Sequence, residues 1–435
     1  MDRAGVLFID RLPERAAPLR GEARADLAIA GGGLTGLATA LAVRERFPRR
    51  RIVLLEKDRC GSGASGRNGG MALPGSALDL EELEERLGFE RARRVSAWLG
   101  RGLDLLLKAA RESGAPAGPI EQVGTLSLAR TPRHVRAQKR RLEVYRRHGV
   151  EAEVLEGRGL ERVLRSPRYR SAFHVLRGGA LVDPWRLTTA LRRRAIEAGV
   201  VIHEESEVRA IEDGPEIRLT TAAGRLTAPA LVLATNAFSP GLGWFRTRIA
   251  PVHVSCIATA PLPRAVRAAI GWEGRQAAWE EGRVYHFLRL TADDRVLLGG
   301  GNIDYRLGGR TRFDPSRRHA KLTRALRAIF PPLKDVPVTH RWSGLVDFAR
   351  DFLPSFGVTG RAHNVYYALG YTGHGVALTH LAGETLATLY AGEVVPEEAR
   401  FLVGRALPTV GFEPFRWLAV NIVRNGWLML ERLGI

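Results

Sequence analysis

Three glycine-rich segments hold the residues best suited to chemistry. Gly31, Gly33 and Gly36 make a GxGxxG pattern, with Leu34 and Thr35 between the last two glycines and an apolar helical run after it. In such a pattern the first glycine permits a tight turn, the second lets a pyrophosphate approach the backbone, and the third lets the helix pack close on a sheet. The N–H groups and the dipole at the helix start favour phosphate. Glu56 stands twenty residues after Gly36, placed to accept hydrogen bonds from both hydroxyls of a ribose. Its charge disfavours a 2′-phosphate, and therefore NADP. The second segment, Cys60-Gly61-Ser62-Gly63-Ala64-Ser65-Gly66-Arg67-Asn68-Gly69-Gly70, holds five glycines, more than a connector needs unless a ligand lies along its backbone. The third, Gly370-Tyr371-Thr372-Gly373-His374-Gly375, opens another helix. A helix N-terminus suits the N1–C2=O edge of a flavin, where negative charge develops on reduction.

These segments need a scaffold, and the sequence supplies one. Asp26–Ala30 reads as a buried strand, Leu37–Phe47 as a helix stopped before Pro48, and Arg51–Glu56 as a second strand. Strand, glycine turn, helix, strand and acid within about 30 residues form a complete βαβ unit. Helical sequence is expected over Asp79–Ser113, Pro132–His148 and Asp183–Ala198, the last with Pro184 at its first turn. From Arg248 to about Gly301 strands dominate, in Ile249–Ala258, Arg283–Leu290 and Arg295–Leu298. An α/β texture returns with strand Val365–Leu369 and helix Val376–Tyr390. The expected fold is α/β: a discontinuous Rossmann-like dinucleotide-binding domain (1–80, 150–247 and 336–400) with an inserted antiparallel β-sheet substrate domain (81–149 and 248–335) and a helical tail (401–435).

Composition narrows the class. The 435 residues are 45% hydrophobic and 26% charged, with 48 glycines and 23 prolines, which excludes collagen-like and largely disordered chains. Cys60 and Cys256 are the only cysteines, too few for a disulfide framework or a zinc site. HExxH, GxxxxGK[ST] and GxSxG are absent, so metalloprotease, P-loop and serine-hydrolase readings lack support, and no metal is expected. The net charge of +20 is carried almost wholly by arginine spread along the chain. That pattern reads as a solvated surface rather than a nucleic-acid footprint. Met1–Arg24 has no apolar core of a targeting segment and no apolar run is long enough to span a bilayer; a cytoplasmic protein is expected. The tail Phe412–Leu433 mixes Trp417, Leu418, Trp427 and Leu428 with Arg416, Arg424 and Arg432. It is expected to dock on its own domain, with weak contact to a membrane surface as the alternative.

Four stretches, DLAIAGGGLTGLATAL, LLEKDRCGSGASGRNGG, RWSGLVDFARDFLPSFG and GYTGHGVALTHLAGE, resemble the D-amino-acid-oxidase-like superfamily of FAD-dependent amine oxidoreductases. GASGRNGG and GYTGHGVA look most like its γ-glutamylputrescine oxidase group. The resemblance implies FAD, with Gly31, Gly33, Leu34, Thr35, Gly36, Glu56 and Lys57 on the ADP half. Val208 would serve the adenine, and Ala234 and Thr235 the pyrophosphate. Ser65, Arg67, Asn68, Gly69, Gly370, Tyr371, His374, Gly375 and Val376 would surround the flavin ring. Arg67, His374, Trp342 and Tyr285 are expected to act in catalysis, and Tyr285, His286, Phe287 and Arg289 to cover the substrate side. Neither cysteine falls at a tether position, so the FAD is expected to be non-covalent. Gly344-Leu345-Val346 lacks the arginine that α-amino-acid oxidases carry after a Gly-Leu pair. This shifts the expected substrate toward an amine without an α-carboxylate, unless Arg289, Arg341 or Arg350 compensates. The implied reaction is hydride transfer from a primary or secondary amine to flavin N5, giving an imine, then an aldehyde, and hydrogen peroxide if oxygen is the acceptor. A dehydrogenase or demethylase passing electrons to a quinone or protein is the alternative, and an RNA- or membrane-associated flavoprotein a more distant one.

Overall fold

The computed structural model describes residues 5–9, 12–114 and 118–433; the outer ends of segments 1–80 and 401–435, Arg432's side chain included, lie outside what is described. Three sheets organise the chain. The six-stranded sheet carries, in spatial order, Ser355–Thr359, Val365–Leu369, Leu231–Leu233, Leu27–Ala30, Ile52–Leu55 and Val201–His203. All pairs are parallel except the first. Leu27–Ala30 and Ile52–Leu55 are buried at every residue, which is why they read as unbroken apolar runs. The helices Leu34–Arg46, Phe89–Ser113, Pro184–Glu197 and Gly375–Tyr390 pack together over this sheet in one apolar core. Local chemistry starts several helices: Asp183 accepts from the N–H groups of Trp185 and Arg186 with Pro184 behind it, and Asp79 forms a capping box with Glu82.

The ten-stranded sheet is mostly antiparallel. Ile249–Thr259 and Val338–Ala349 run side by side almost end to end. One face packs on the helices Arg264–Ile270 and Ser316–Ile329; the other carries Cys256, Leu297 and Trp342 toward Trp185. A four-stranded sheet joins Gly21–Arg24 to Gly224–Ala228, Ile217–Thr220 and Ala210–Glu212.

The two kinds of layer are as expected, but the chain is divided between them differently. The sequence places Phe89–Ser113, within 81–149, in the substrate domain; the structure places it with the Rossmann-like layer. It buries Val95, Leu99 and Leu106 in the first core, and Gly102 comes so near the helix Gly375–Tyr390 that a Cβ there would lie 3.1 Å from the carbonyl oxygen of Ala377. Strands Ala152–Glu156 and Ser171–Leu181, within 150–247, belong to the ten-stranded sheet, as does Val338–Ala349 from 336–400. An apolar stripe says that a segment is buried; it does not say against which partner.

The tail docks as expected, but by one face. Arg416 is buried, donating to the carbonyl of Arg246 and pairing with Glu413, and its guanidinium lies over Tyr305. Trp427 meets Phe352 and Arg283. Among the described residues no helix is long and apolar enough to cross a membrane.

Candidate active site

The strand Leu27–Ala30 delivers the chain to Gly31 at φ +111, where a Cβ would lie 2.4 Å from the carbonyl oxygen of Ala234. At Gly36 a Cβ would lie 2.0 Å from the carbonyl oxygen of Gly31. Both positions require glycine. Glu56, at the tip of the next strand, is buried. Its Oε2 accepts from the N–H of Gly32 at 2.8 Å and its Oε1 from that of Asp58 at 3.0 Å. The carboxylate therefore braces the glycine turn, keeping acceptor capacity on each oxygen for a ribose. Burial pushes its carboxyl pKa up, opposed by the two N–H donors and Lys57. The Lys57 ammonium lies 3.3 Å from the centre of the Phe238 ring, and burial pulls its pKa down. Val208 is buried, two residues past Ser206, whose N–H donates to the Glu56 carbonyl. Thr235 spends its hydroxyl on Ser239 at 2.7 Å.

The second glycine segment is anchored at both ends. The N–H of Gly61 donates to Gly32, and that of Cys60 to Glu204. Glu204 is wholly buried in a bidentate pair with Arg192, both N···O distances 3.0 Å. Ser65, in the short helix Ala64–Arg67, accepts from the N–H of Leu34 at 2.9 Å. Arg67 is buried and donates through Nε to the Ser62 carbonyl at 2.7 Å, while its own carbonyl accepts from Trp342 Nε1 at 2.8 Å. A Cβ at Gly344 would face the Arg67 side chain at 3.8 Å. Asn68 uses its amide on Ala64, Ser65 and Gly70, so it shapes the loop. Gly69 faces the ring of Phe287, two residues from Tyr285 on the larger sheet.

The third turn joins the other two. Tyr371 Oη lies 3.1 Å from Thr35 Oγ1. Gly370, Thr372 and Gly373 all have positive φ. His374 donates from Nδ1 to the Thr372 carbonyl at 3.2 Å, and burial lowers its pKa. The same burial favours the uncharged form of the ring. Asp347, which the motifs had not singled out, is 1% exposed and holds this turn by accepting from the Gly370 N–H. Burial pushes its carboxyl up to about 6. A lone carboxylate within the apolar run Gly344–Ala349 was the signal for it.

The residues suit an FAD. Helices Leu34–Arg46 and Gly375–Tyr390 both begin without a side-chain N-cap, which leaves donors for anionic or polar groups. Gly33, Ser65, Asn68, His374, Gly375, Val376 and Tyr285 retain partial exposure. The sequence leaves three arginines open as substitutes for the absent carboxylate-binding arginine. Arg289 is buried with Nη1 donating to the carbonyls of Gly69, Gly70 and Val182 at 2.9, 3.1 and 2.7 Å, and Arg341 and Arg350 are exposed.

With this geometry in view, the match to known proteins is direct. Residues 26–389 match the family DAO, FAD dependent oxidoreductase, and the chain belongs to that family. It is an FAD-dependent oxidoreductase. It is 29% identical over 420 residues to gamma-glutamylputrescine oxidoreductase of Escherichia coli K12, covering 94% of this chain and 93% of that protein. It is 26% identical over 404 residues to glycine oxidase of Geobacillus kaustophilus, covering 90% and 99%. The crystal structure of the Geobacillus glycine oxidase superposes with a TM-score of 0.73 at 23% identity, covering 89% of this chain and 100% of that one. L-proline dehydrogenase from P. horikoshii superposes with a TM-score of 0.68 at 23% identity, covering 89% and 96%.

Proposed function

We propose that the protein oxidises a primary or secondary amine that carries no carboxylate beside the reacting carbon, with a γ-glutamylputrescine-like amine favoured. The observation that carries this reading is the apolar Val346 where an α-carboxylate would need its arginine. Val346 packs near Ala250, Val252 and Tyr305, while Arg289 is committed to three backbone carbonyls. The likeness to gamma-glutamylputrescine oxidoreductase supports the same class.

FAD, when bound, supplies a two-electron acceptor for the carbon–nitrogen bond of the amine, and the resulting imine hydrolyses to an aldehyde. The chain's own part is to hold and orient. Gly31, Gly33, Leu34, Thr35 and Gly36 take the pyrophosphate, with Ala234 and Thr235 beside it. Glu56, Lys57 and Val208 would hold the adenosine, and Ser65, Arg67, Asn68, Gly69, Gly370, Tyr371, His374, Gly375 and Val376 would surround the flavin ring. Arg67 adds positive field, and Trp342 fixes the Arg67 backbone. Tyr285 and Phe287 close the substrate side. Cys60 and Cys256 are buried, and burial raises both thiol pKa values, in keeping with a non-covalent cofactor; acid precipitation should leave the pellet colourless.

The test is an anaerobic screen for flavin bleaching. γ-Glutamylputrescine and related ω-amines should bleach the protein; faster bleaching by glycine, sarcosine or D-amino acids would overturn the assignment. Peroxide formed with oxygen as sole acceptor marks an oxidase, and turnover only with a quinone or dye marks a dehydrogenase or demethylase.

A further inference from the structure

A cavity of about 230 Å³ lies behind the ten-stranded sheet, between it and the helices Ser316–Ile329 and Phe415–Leu433. In the strand Ile249–Thr259, Cys256 points toward Trp185, so the alternating His253 and Ser255 point the other way, into this cavity. The strand His286–Leu290 agrees. Phe287 faces Gly69, whereas His286 turns its Nε2 to Gly301 in the cavity wall. His286, expected on the substrate side, therefore lies behind the sheet, its Nδ1 2.8 Å from Glu280.

The lining decides what fills the space. Its one acid among the described residues is Asp304, which is 4% exposed and already gripped by Arg318 Nε at 2.9 Å and Arg306 Nε at 3.3 Å. Lys321 also lines the cavity and enters no ion pair among the described residues. Asn302 brings an amide whose Nδ2 is buried with no hydrogen-bond partner, a costly state for a donor. Two unspent donors, one of them cationic, beside an acid that is already neutralised call for an anion. A metal is not the answer: among the described residues no three histidine, cysteine or acid side chains gather to hold one. Leu322 and Leu428 add an apolar wall, which an inorganic anion would leave unused. The volume is that of about seven waters at ~30 Å³ each, enough for a headgroup and a few carbons but too small for a nucleotide or a lipid chain.

We propose that this cavity is a second ligand site, for a short-chain carboxylate of the size of butyrate, with its carboxylate on Lys321 and Asn302 and its alkyl chain against Leu322 and Leu428. Leu428 belongs to the helix Phe415–Leu433, so the ligand also ties that helix to the sheet. The inference is independent of the substrate assignment.

The test is calorimetric titration of the holoprotein with acetate, butyrate and inorganic phosphate, with the flavin absorption spectrum read at each step, because a ligand on the substrate side would perturb it. Butyrate should bind with the spectrum unchanged and about fivefold or more tighter than acetate, since it buries two further methylenes. K321E and N302D place a carboxylate where the ligand's own would sit; each should weaken butyrate about tenfold or more and leave turnover unaltered. Lys321 is exposed, so K321E tests the site even if N302D fails to fold. L428A should erase the preference over acetate. No heat with butyrate, a flavin spectral shift that accompanies its binding, equal affinity in K321E, or tighter binding of phosphate than of butyrate would overturn the proposal.

Discussion

Replacing Glu56 with glutamine separates two tasks that the geometry gives to one carboxylate. Its oxygens accept from Gly32 and Asp58 at 2.8 and 3.0 Å. An amide of the same shape keeps one acceptor and turns its NH2 toward the other donor. One buried N–H then loses its partner, at about 1–3 kcal/mol. Removing a buried charge, whose cost shows in the raised pKa, offsets part of this. The apoprotein should therefore melt within a few degrees of the wild type. FAD binding should suffer more. Each ribose hydroxyl exchanges a charged partner, worth about 1.5–3 kcal/mol, for a neutral one at about 0.5–1.5, the amide oxygen on one side and the NH2 on the other. Two such exchanges total roughly 2–3 kcal/mol, or an FAD Kd about 30- to 150-fold weaker. Titrating apoprotein with FAD by flavin fluorescence, beside a melt of the same samples, reads both quantities. Wild-type affinity should also fall as acid protonates Glu56, while the glutamine variant stays flat. An unchanged Kd in E56Q would refute the reasoning and confine the carboxylate to bracing the turn.

Three further expectations follow from buried groups. Asp347 has its carboxyl raised from 3.8 to about 6, so the folded state binds that proton more tightly than the unfolded chain. The stability this contributes is present below about pH 4 and lost as pH rises toward 6, about 3 kcal/mol in all. Asp347→Asn should therefore raise the Tm at pH 8 and leave it nearly unchanged at pH 4; an equal shift at both would count against it. Arg192→Met strands the buried Glu204 carboxylate and should cost about 3–5 kcal/mol in denaturant unfolding, with partial recovery on adding Glu204→Gln. Trp342→Phe removes the donor to the Arg67 carbonyl and should cost about 1–3 kcal/mol, with a shifted flavin absorption band; a wild-type spectrum would mean that Arg67 is held by other contacts.

What was legible in the sequence was local. Gly31 and Gly36 announced the turn because adjacent backbone admits no Cβ there, and the buried runs Leu27–Ala30 and Ile52–Leu55 announced central strands. The cofactor class followed, since its phosphates and ribose are read by a unit of about 30 contiguous residues. Contacts between remote positions were not legible. Trp342 meets Arg67 across 275 residues and Tyr371 meets Thr35 across 336. Neither the sheet that Ser171–Leu181 and Val338–Ala349 join nor the engagement of Arg289 with Gly69 and Gly70 shows in their own neighbourhoods. The sequence alone determined the elements, the dinucleotide turn and the family, because φ, helical period and strand alternation are properties of neighbours. Tertiary structure decided which carboxylates and arginines are already committed and which face of the last helix stays bare, because those depend on what the rest of the chain packs against each segment.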